Sequence, residues 1–349
     1  MNADASTVAA LLAVDPAGLG GVALRSGAGS VRDEWLSLLR SLLPTGTPLM
    51  RAPLNITATA LLGGLDLGAT LHLGKPVGTK GLLCESDGGL VLLPMAERMS
   101  AAAASRFCAV LDTQQVVLAR DGIEAINPAR VGVVALDEGV SDDERLPSAL
   151  LERLAFHVAL EAAVRAEENE DTLHWSAAEV SSARKLLSSV TIDDAAVNAL
   201  CNAALALGVD SLRASVFAVR VARVAAALSG AAEVSDEHTA VAARLVLAPR
   251  ATRIPQPQAE PEQEDQPPEA QAEQEAQPPA KEAPEPPSSE QDKPDDSDES
   301  DAPATQGELA EQVLEAAQAA IPAGLLAALR LGNAVRSKTA SAGRSGAAQ

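Results

Sequence analysis

The glycine-rich segment at residues 24–31 is the stretch of this chain whose residue types could bind phosphate. It reads Leu-Arg-Ser-Gly-Ala-Gly-Ser-Val, follows a short apolar run and precedes a helical pattern. Backbone N–H groups at a glycine turn between a strand and a helix can cradle a phosphate group. A complete phosphate loop reads G-x-x-x-x-G-K-[ST], and this segment keeps only part of that pattern. An ordinary glycine turn is therefore the alternative interpretation.

The candidate phosphate-binding residues of this degenerate loop are Gly27, Gly29 and Ser30. Gly29 matches the second glycine, but Leu24 replaces the first glycine. Ser30 stands in place of the lysine, and Val31 stands in place of the magnesium-binding hydroxyl. The loop offers backbone donors without an ammonium group, which predicts at most weak binding of ATP or ADP.

The net charge of −21 is concentrated in one segment. Residues 255–305 carry 16 acidic side chains against Lys281 and Lys293, a net −14, so the remainder of the chain carries −7. Aromatic residues make up only 1% of the chain, which leaves few platforms for stacking bases. These values argue against a nucleic-acid partner and against an anionic membrane surface.

The cysteines and the apolar runs indicate the compartment. Cys84, Cys108 and Cys201 are scattered without CxxC spacing, which argues against a disulfide framework or zinc site and for a reducing cytosol. The first residues lack the basic region of a signal peptide. No apolar run reaches the ~18 residues of a membrane span. We therefore expect a cytoplasmic protein without a metal site of its own.

Residues 1–146 predict an α/β domain. Its apolar runs alternate with helical patterns and lie at 21–24, 88–93, 116–118 and 131–136. This alternation is typical of a parallel sheet whose site lies at the carboxyl ends of the strands. Residues 44–83, rich in proline and glycine, predict an insert with a hairpin, in which His72 is a strand residue rather than a ligand.

Residues 147–250 show helical patterns only and predict a second, helical domain. The predicted helices lie at 149–164, 176–187, 193–207, 212–228 and 235–247. Ser235, followed by two acidic residues, is a favourable N-cap for the last of them.

The C-terminal third divides into a linker and a short end segment. Residues 251–306 predict a disordered, acidic, proline-rich linker, because 255–305 hold no Val, Ile, Leu, Met or aromatic residue that could be buried. Residues 307–349 predict a short amphipathic helix and a basic tail. A long linker before so small a segment suggests that a further domain belongs beyond it, or that the segment docks on a partner.

Several short motifs, in order, resemble the magnesium-chelatase branch of the AAA+ ATPases. The resemblance extends over about residues 20–250 and includes the helical-lid passage at 208–214 and 225–230. The other matching stretches are 63–67, 81–83, 88–92, 127–130, 137–139 and 150–153. The acidic, proline-rich linker is similar to that of the family's D subunits, in which it leads to an integrin-I domain. The D-x-S-x-S metal motif of that domain does not occur in these 349 residues.

The resemblance implies an AAA+ core with a separate helical lid set behind it and a damaged ATPase site. It places the Walker B motif at 92–95, where Leu93 replaces the magnesium-binding aspartate and Pro94 replaces the glutamate that orients water. We expect Glu97, one turn further on, to be a solvated helix residue. Without these groups the chain should not stabilise magnesium or the developing phosphoryl charge, so we expect no ATPase activity from the isolated chain.

The resemblance also assigns roles to two arginines and names partners. Arg153 matches the arginine finger that acts in trans, and Arg213 matches the second sensor; a surface charge and an internal salt bridge are the alternatives. The implied partners are the ATP-hydrolysing I subunit, in a homo- or hetero-hexameric ring, and the porphyrin-binding H subunit. The implied function is that of a non-hydrolysing platform in a nitrogen–metal ligase, supporting ATP-driven insertion of Mg²⁺, the substrate of the complex, into protoporphyrin IX for chlorophyll or bacteriochlorophyll.

Two other functions remain open at the level of sequence. The chain could be a self-sufficient ATPase of another metal-insertion system, although Ser30, Leu93 and Pro94 argue against that. It could also be a non-enzymatic adaptor or regulator of another AAA+ metal-insertion complex, with the acidic linker as its working part.

Overall fold

The computed structural model describes residues 3–141, 143–160, 175–255 and 302–330. Nearly all of the predicted linker, and the basic tail from residue 331 onward, lie outside these residues. The nine strands are β1 (Gly21–Arg25), β2 (Leu49–Arg51), β3 (Gly63–Leu65), β4 (Gly78–Lys80), β5 (Leu90–Leu93), β6 (Gln115–Arg120), β7 (Ile123–Pro128), β8 (Gly132–Asp137) and β9 (Phe156–Ala159), counted over the described residues.

The α-helices of the described residues surround the sheet or form the lid. Those on the N-terminal side are α1 (Ala3–Val14), α2 (Pro16–Leu19), α3 (Ser30–Leu42), α4 (Ala58–Leu62), α5 (Leu67–Leu73), α6 (Leu82–Glu85), α7 (Ala101–Thr113) and α8 (Ser148–Leu151). The rest are α9 (Ala177–Leu186), α10 (Asp194–Ala206), α11 (Leu212–Ser229), α12 (Asp236–Ala242), α13 (Ala302–Ala319) and α14 (Ala323–Arg330).

Five strands form a wholly parallel sheet in the order β2-β5-β8-β1-β9, as the α/β prediction requires. The central strands β1, β5 and β8 are buried almost throughout, which explains their continuous apolar sequences. We call the end of this sheet at Arg25 and Asp137 the carboxyl edge, and the end at Gly21 and Gly132 the amino edge.

Two antiparallel hairpins stand outside this sheet. Strands β3 and β4 pair within residues 44–83, which confirms the predicted hairpin there. Strands β6 and β7 form the other hairpin, so the run at 116–118 is not a strand of the main sheet as predicted. Its burial alternates residue by residue, as expected for a two-stranded ribbon with one covered face. His72 lies in helix α5 and not in a strand, because Asp66 caps a helix that begins at Leu67.

The predicted helix at 149–164 is wrong over most of its described length. Helix α8 ends at Leu151, and Phe156–Ala159 form β9, which pairs in parallel with β1. Pairing with an exposed sheet edge satisfies the backbone groups of this short apolar segment and outweighs its helical propensity. The last strand of the sheet therefore lies beyond residue 146, where the sequence placed the end of the core.

Helices α9–α12 form the lid, and their predicted positions are confirmed. Ser176 caps α9 with a reciprocal bond to Glu179, Asp193 caps α10, and Ser211 caps α11. A π-helical segment at Ala243–Leu247 and a 3₁₀ turn at Ala248–Arg250 continue α12.

One apolar core runs from the sheet into the lid without a break. It joins Leu11 of α1, Trp35 of α3 and Val221 of α11, all fully buried, with side chains of the other lid helices. Trp35 also donates a 2.7 Å hydrogen bond from Nε1 to the carbonyl oxygen of Ala5. The lid is thus packed onto α1 and α3 by a continuous apolar contact.

Helix α13 completes this core within the same chain. Leu309, Val313 and Ala317 of α13, and Ile321 just after it, are buried against the lid, so this amphipathic segment docks on its own lid. In the described part of the chain no single helix is long and apolar enough to cross a membrane. The consecutive helices Gly307–Ala319 and Ala323–Arg330 have the required length and apolarity only when counted as one, and they are bent by 98° relative to each other.

Candidate functional site

The structure brings Gly27, Gly29 and Ser30 together in an exposed loop between β1 and α3. The N–H of Ser26 donates to the carbonyl oxygen of Asp137 over 2.9 Å, which anchors the start of the loop to β8. A Cβ atom at Gly27 or Gly29 would meet nothing within 4 Å. The loop is therefore open to solvent and can offer a phosphate group the backbone N–H groups at the start of α3, but no cationic side chain of its own.

Two arginines next to this loop are bound by carboxylates at the end of β8 and just after it. Arg25 approaches Asp137 at 3.5 Å and donates to the carbonyl oxygen of Ser141 over 2.8 Å. Arg32 donates from Nη1 to Glu138 over 2.7 Å. Burial raises the pKa of Asp137, although Gly139 N–H and Arg25 stabilise its charged form. These contacts fasten the segment after β8 across the carboxyl edge of the sheet.

The strand end that should supply magnesium ligands has none. Leu93 is buried at the end of β5, and Pro94 follows it. Glu97 is the exception to our expectation, because its side chain is only 4% exposed and accepts a 3.0 Å hydrogen bond from Glu138 N–H. It is a structural acceptor rather than a solvated residue. Across the described ranges, no group of three or more His, Cys, Asp or Glu side chains is arranged to hold a metal ion.

The two predicted arginines meet at a carboxylate that the sequence had not indicated, that of Asp112. Arg153 contacts both of its oxygens, with Nη2 2.5 Å from Oδ2, and Arg213 Nη1 lies 3.1 Å from Oδ1. Burial acts to raise the pKa of Asp112, but the two arginines outweigh this effect and lower it. The hydrogen bond to Asp112 raises the pKa of Arg153. This arginine pair, Arg153 and Arg213, is thus prearranged in the free chain.

The arginine pair lies at the opposite end of the sheet from the glycine-rich loop. Ala155 N–H donates to the carbonyl oxygen of Leu19 over 3.0 Å, which fixes the segment after Arg153 at the amino edge, just before β1. Gly20, at φ +69°, makes this approach possible, since a Cβ atom there would lie 2.0 Å from the Arg153 carbonyl oxygen. The five residues of β1 separate the two ends by roughly 13 Å, at about 3.3 Å a residue. Arg153 therefore cannot reach the loop of its own chain.

Lid residues form hydrogen bonds with the segment that carries Arg153. Ser211, which caps α11, donates to Glu152 over 2.8 Å. Arg250, in the last turn of the lid, donates to the carbonyl oxygens of Leu154 over 2.5 Å and of Ala155 over 3.0 Å. Residues on both sides of Arg153 are therefore bound by lid residues.

Arg250 also donates to His157 Nε2 over 2.9 Å. The same Nε2 lies 3.1 Å from the carbonyl oxygen of Leu151, and because a guanidinium group only donates, the contact with Arg250 favours a neutral imidazole. Burial and the charge of Arg250 lower the pKa of His157 to about 3. Burial also lowers the pKa of Arg250, to about 10. Within the described residues this buried cation is held by carbonyl oxygens and an imidazole, with no carboxylate in direct contact.

A cavity of about 580 Å³ opens beside the arginine pair. Small apolar side chains of α7 and α8, among them Ala104, Ala109 and Ala149, line it together with Cys108 and Arg153. Leu212 and Val216, on the first turns of α11, are 80% and 56% exposed. The face that carries Arg153 and Arg213 is therefore partly apolar and concave, as contact surfaces between proteins often are.

Comparison with known proteins connects this arrangement to one family. A family model for an AAA lid domain matches residues 197–271. The 67 kDa magnesium-chelatase subunit of Chlorobaculum tepidum is 33% identical over 269 residues, and the 60 kDa subunit of Rhodobacter capsulatus is 38% identical over 252 residues. These alignments cover 72% of this chain but only 43% and 41% of the relatives, so the chain spans about two fifths of their length.

More distant matches agree with the same fold. The 38 kDa magnesium-chelatase subunit of Rhodobacter capsulatus is 25% identical over 248 residues, which cover 65% of this chain and 70% of that subunit. The crystal structure of a protein from Cytophaga hutchinsonii described as a candidate ATPase matches with a TM-score of 0.53 at 17% identity, covering 71% of this chain and 84% of that one. With its parallel five-stranded sheet and helical lid, the chain belongs to the AAA+ proteins, and over 72% of its length it is a homologue of the 60 and 67 kDa magnesium-chelatase subunits.

Proposed function

We propose that the chain is a non-hydrolysing AAA+ platform of magnesium chelatase, which lends its arginine pair to the nucleotide bound by a neighbouring ATPase subunit. The observation that carries the proposal is the placement of Arg153 and Arg213 on one carboxylate at the amino edge, away from a phosphate loop that has lost its lysine. An arginine supplied in trans accelerates phosphoryl transfer by about 10³-fold or more.

The damaged carboxyl edge supports the non-hydrolysing part of the proposal. Ser30 has no ammonium group to bind the phosphates, and Val31 has no hydroxyl group to bind magnesium. Leu93 and Pro94 provide no carboxylate. Asp137 and Glu138 are bound by Arg25 and Arg32. Any ATP or ADP held at the loop of this chain is therefore bound weakly and without the groups that stabilise the transition state.

The neighbour in this proposal is the ATP-hydrolysing I subunit, which we identify with the 38 kDa subunits that the chain also resembles. The two would alternate or stack in a hexameric ring in the cytoplasm. Movements driven by ATP in that neighbour would pass through this platform to the porphyrin-binding H subunit. The complex would insert Mg²⁺, as substrate, into protoporphyrin IX on the route to chlorophyll or bacteriochlorophyll, as a ligase that forms nitrogen–metal bonds.

The direct test measures ATP hydrolysis by the 38 kDa subunit with and without this chain. We expect the isolated chain to show no hydrolysis and the mixture to hydrolyse faster than the 38 kDa subunit alone. Arg153→Gln should remove most of that stimulation, and Arg213→Gln should reduce it. Arg106→Gln is the matched control, because Arg106 lies on α7 without a side-chain partner in the described residues and should leave the rate unchanged.

Two results would contradict the proposal. Hydrolysis by the purified chain alone would show that its own site works. Full stimulation by Arg153→Gln, with ring assembly intact by analytical ultracentrifugation, would leave the arginine pair without the proposed role and favour an adaptor function.

A further inference from the structure

A second cavity, of about 270 Å³, lies at the carboxyl edge between helix α3 and the ends of β2, β5 and β8. Its walls include the apolar side chains of Leu36, Leu92, Pro94 and Leu136. None of residues 26–30 lines it, so it is separate from the glycine-rich loop.

Three arginines reach this cavity from two elements. Arg32 and Arg40 come from α3, and Arg51 comes from the end of β2. Arg40 and Arg51 are exposed, and among the described residues neither has an ion pair or a side-chain hydrogen bond. Two unpaired guanidinium groups facing one concave space are an unusual concentration of positive charge in a chain with a net charge of −21.

Arg32 adds an unfilled donor to this space. Its Nη1 is bound to Glu138, but its Nε is buried and has no hydrogen-bond partner, with the nearest carboxylate oxygen, on Asp33, 4.0 Å away. A buried N–H without an acceptor costs free energy, and an unrecorded bound ion is one explanation for such a group. Arg32 is therefore short of acceptors in the part of the chain that the structure describes, and a guanidinium group binds oxyanions through parallel N–H donors.

The charge of this edge is the reverse of what a magnesium-dependent site needs. Pro94 borders the cavity at the end of β5, where a carboxylate would be required to bind a cation. The carboxylates that do line the cavity are Glu138, which is bound to Arg32, and Asp33, whose side chain is 71% exposed. Against these two carboxylates stand three arginines, of which Arg40 and Arg51 have no ion pair among the described residues.

We propose that this cavity is an anion site in which Arg32, Arg40 and Arg51 bind a phosphate-type oxyanion directly, without a metal ion. A compact tetrahedral anion suits three guanidinium groups around one concave space of about 270 Å³, which is small for the backbone of a bound peptide. Free phosphate and the phosphate of a larger molecule share this chemistry. The proposal concerns this chain alone and does not depend on its role beside an ATPase.

The test is calorimetric titration of the full chain at low salt in the presence of EDTA, with inorganic phosphate, diphosphate and a phosphate monoester as probes. We expect binding without Mg²⁺. Arg40→Gln and Arg51→Gln should each weaken it about tenfold, the effect of one lost hydrogen bond to a charged group. Both side chains are exposed and unpaired, so the variants should fold, which thermal melting would verify. Tighter binding of the monoester than of free phosphate would identify a larger ligand as the source.

Two matched variants make the result decisive. Arg106→Gln should not change the affinity, since Arg106 does not line the cavity. Loss of binding in Ser30→Asp alone would place the anion on the glycine-rich loop and overturn the proposal. Absence of binding at any phosphate concentration tested, a requirement for Mg²⁺, or tighter binding of an acidic peptide than of phosphate would also overturn it.

Discussion

Arg153 and Arg213 are bound by the same carboxylate, that of Asp112, although they come from different parts of the fold. Arg153 follows α8 of the core, and Arg213 lies in the first turn of α11 in the lid. Asp112 lies near the end of α7. The contact therefore joins the lid to the core through one shared carboxylate.

Replacing Asp112 by Asn should remove the shared partner of both arginines. The ion pairs are partly exposed, so we expect the free energy of unfolding to fall by only about 1 kcal/mol at neutral pH. Because folding lowers the pKa of Asp112, its contribution exists above the pKa of the unfolded chain and is lost as the pH falls through the folded value. Urea unfolding at neutral and acidic pH should show the difference between variant and wild type disappear in acid. Asp210→Asn, at an exposed residue whose side chain has no ion pair or hydrogen bond with any described residue, should match the wild type throughout.

His157 should make the protein less stable in mild acid. Its pKa is lowered to about 3 in the folded chain, whereas the unfolded chain takes up a proton near pH 6.5. Between these values the unfolded state binds more protons, so the free energy of unfolding should fall as the pH drops, by up to about 1.4 kcal/mol per pH unit. In His157→Gln this contribution should be absent. The difference in the free energy of unfolding between the two proteins should therefore change over this range, with the wild type losing stability faster as the pH falls, and a constant difference would contradict the assignment.

Arg250 should be required for the joint between lid and core. Arg250→Met leaves the carbonyl oxygens of Leu154 and Ala155 buried without their donor, so we expect a loss of at least about 2 kcal/mol in the free energy of unfolding. The measurement is urea denaturation, with exposed Arg253→Met as the control, which should change stability by less than about 0.5 kcal/mol. An equal effect of the two substitutions would show that the buried guanidinium adds nothing.

Gly20 should tolerate no side chain. Gly20→Ala combines a positive φ with a Cβ atom 2.0 Å from the Arg153 carbonyl oxygen, so we expect it to displace the segment of Arg153 and to cost at least about 3 kcal/mol. Gly74→Ala is the matched control, because Gly74 has a similar φ of +64° but open space around its Cβ position. It should cost about 1 kcal/mol, and thermal unfolding would separate the two. Similar losses in both variants would mean that the close approach to Arg153 is unimportant.

The elements predicted correctly are those whose sequence signal is local. The continuous apolar run at 131–136 identifies a central parallel strand, and Ser235, predicted as an N-cap, does precede the helix that begins at Asp236. Strand β9 was missed because its apolar residues continue the helical spacing of α8, and only pairing with β1 distinguishes the two.

The candidate site shows the same limit. The missing lysine and carboxylates could be read from single positions. Asp112 could not be identified, since an isolated acidic residue near a helix end gives no signal until Arg153 and Arg213 approach it from 41 and 101 positions further along the chain. Glu97 was mispredicted for a similar reason, because its hydrogen-bond donor, the N–H of Glu138, lies 41 positions further along the chain, just after β8.

The unbroken apolar core between sheet and lid has a mechanical consequence. Moving the lid away from the sheet would expose the buried apolar side chains of Leu11, Trp35 and Val221 to water. Such a movement would cost the free energy gained by burying them. The sheet and the lid should therefore rotate together as one rigid body. A displacement imposed on one side of this body would then be transmitted to its other side.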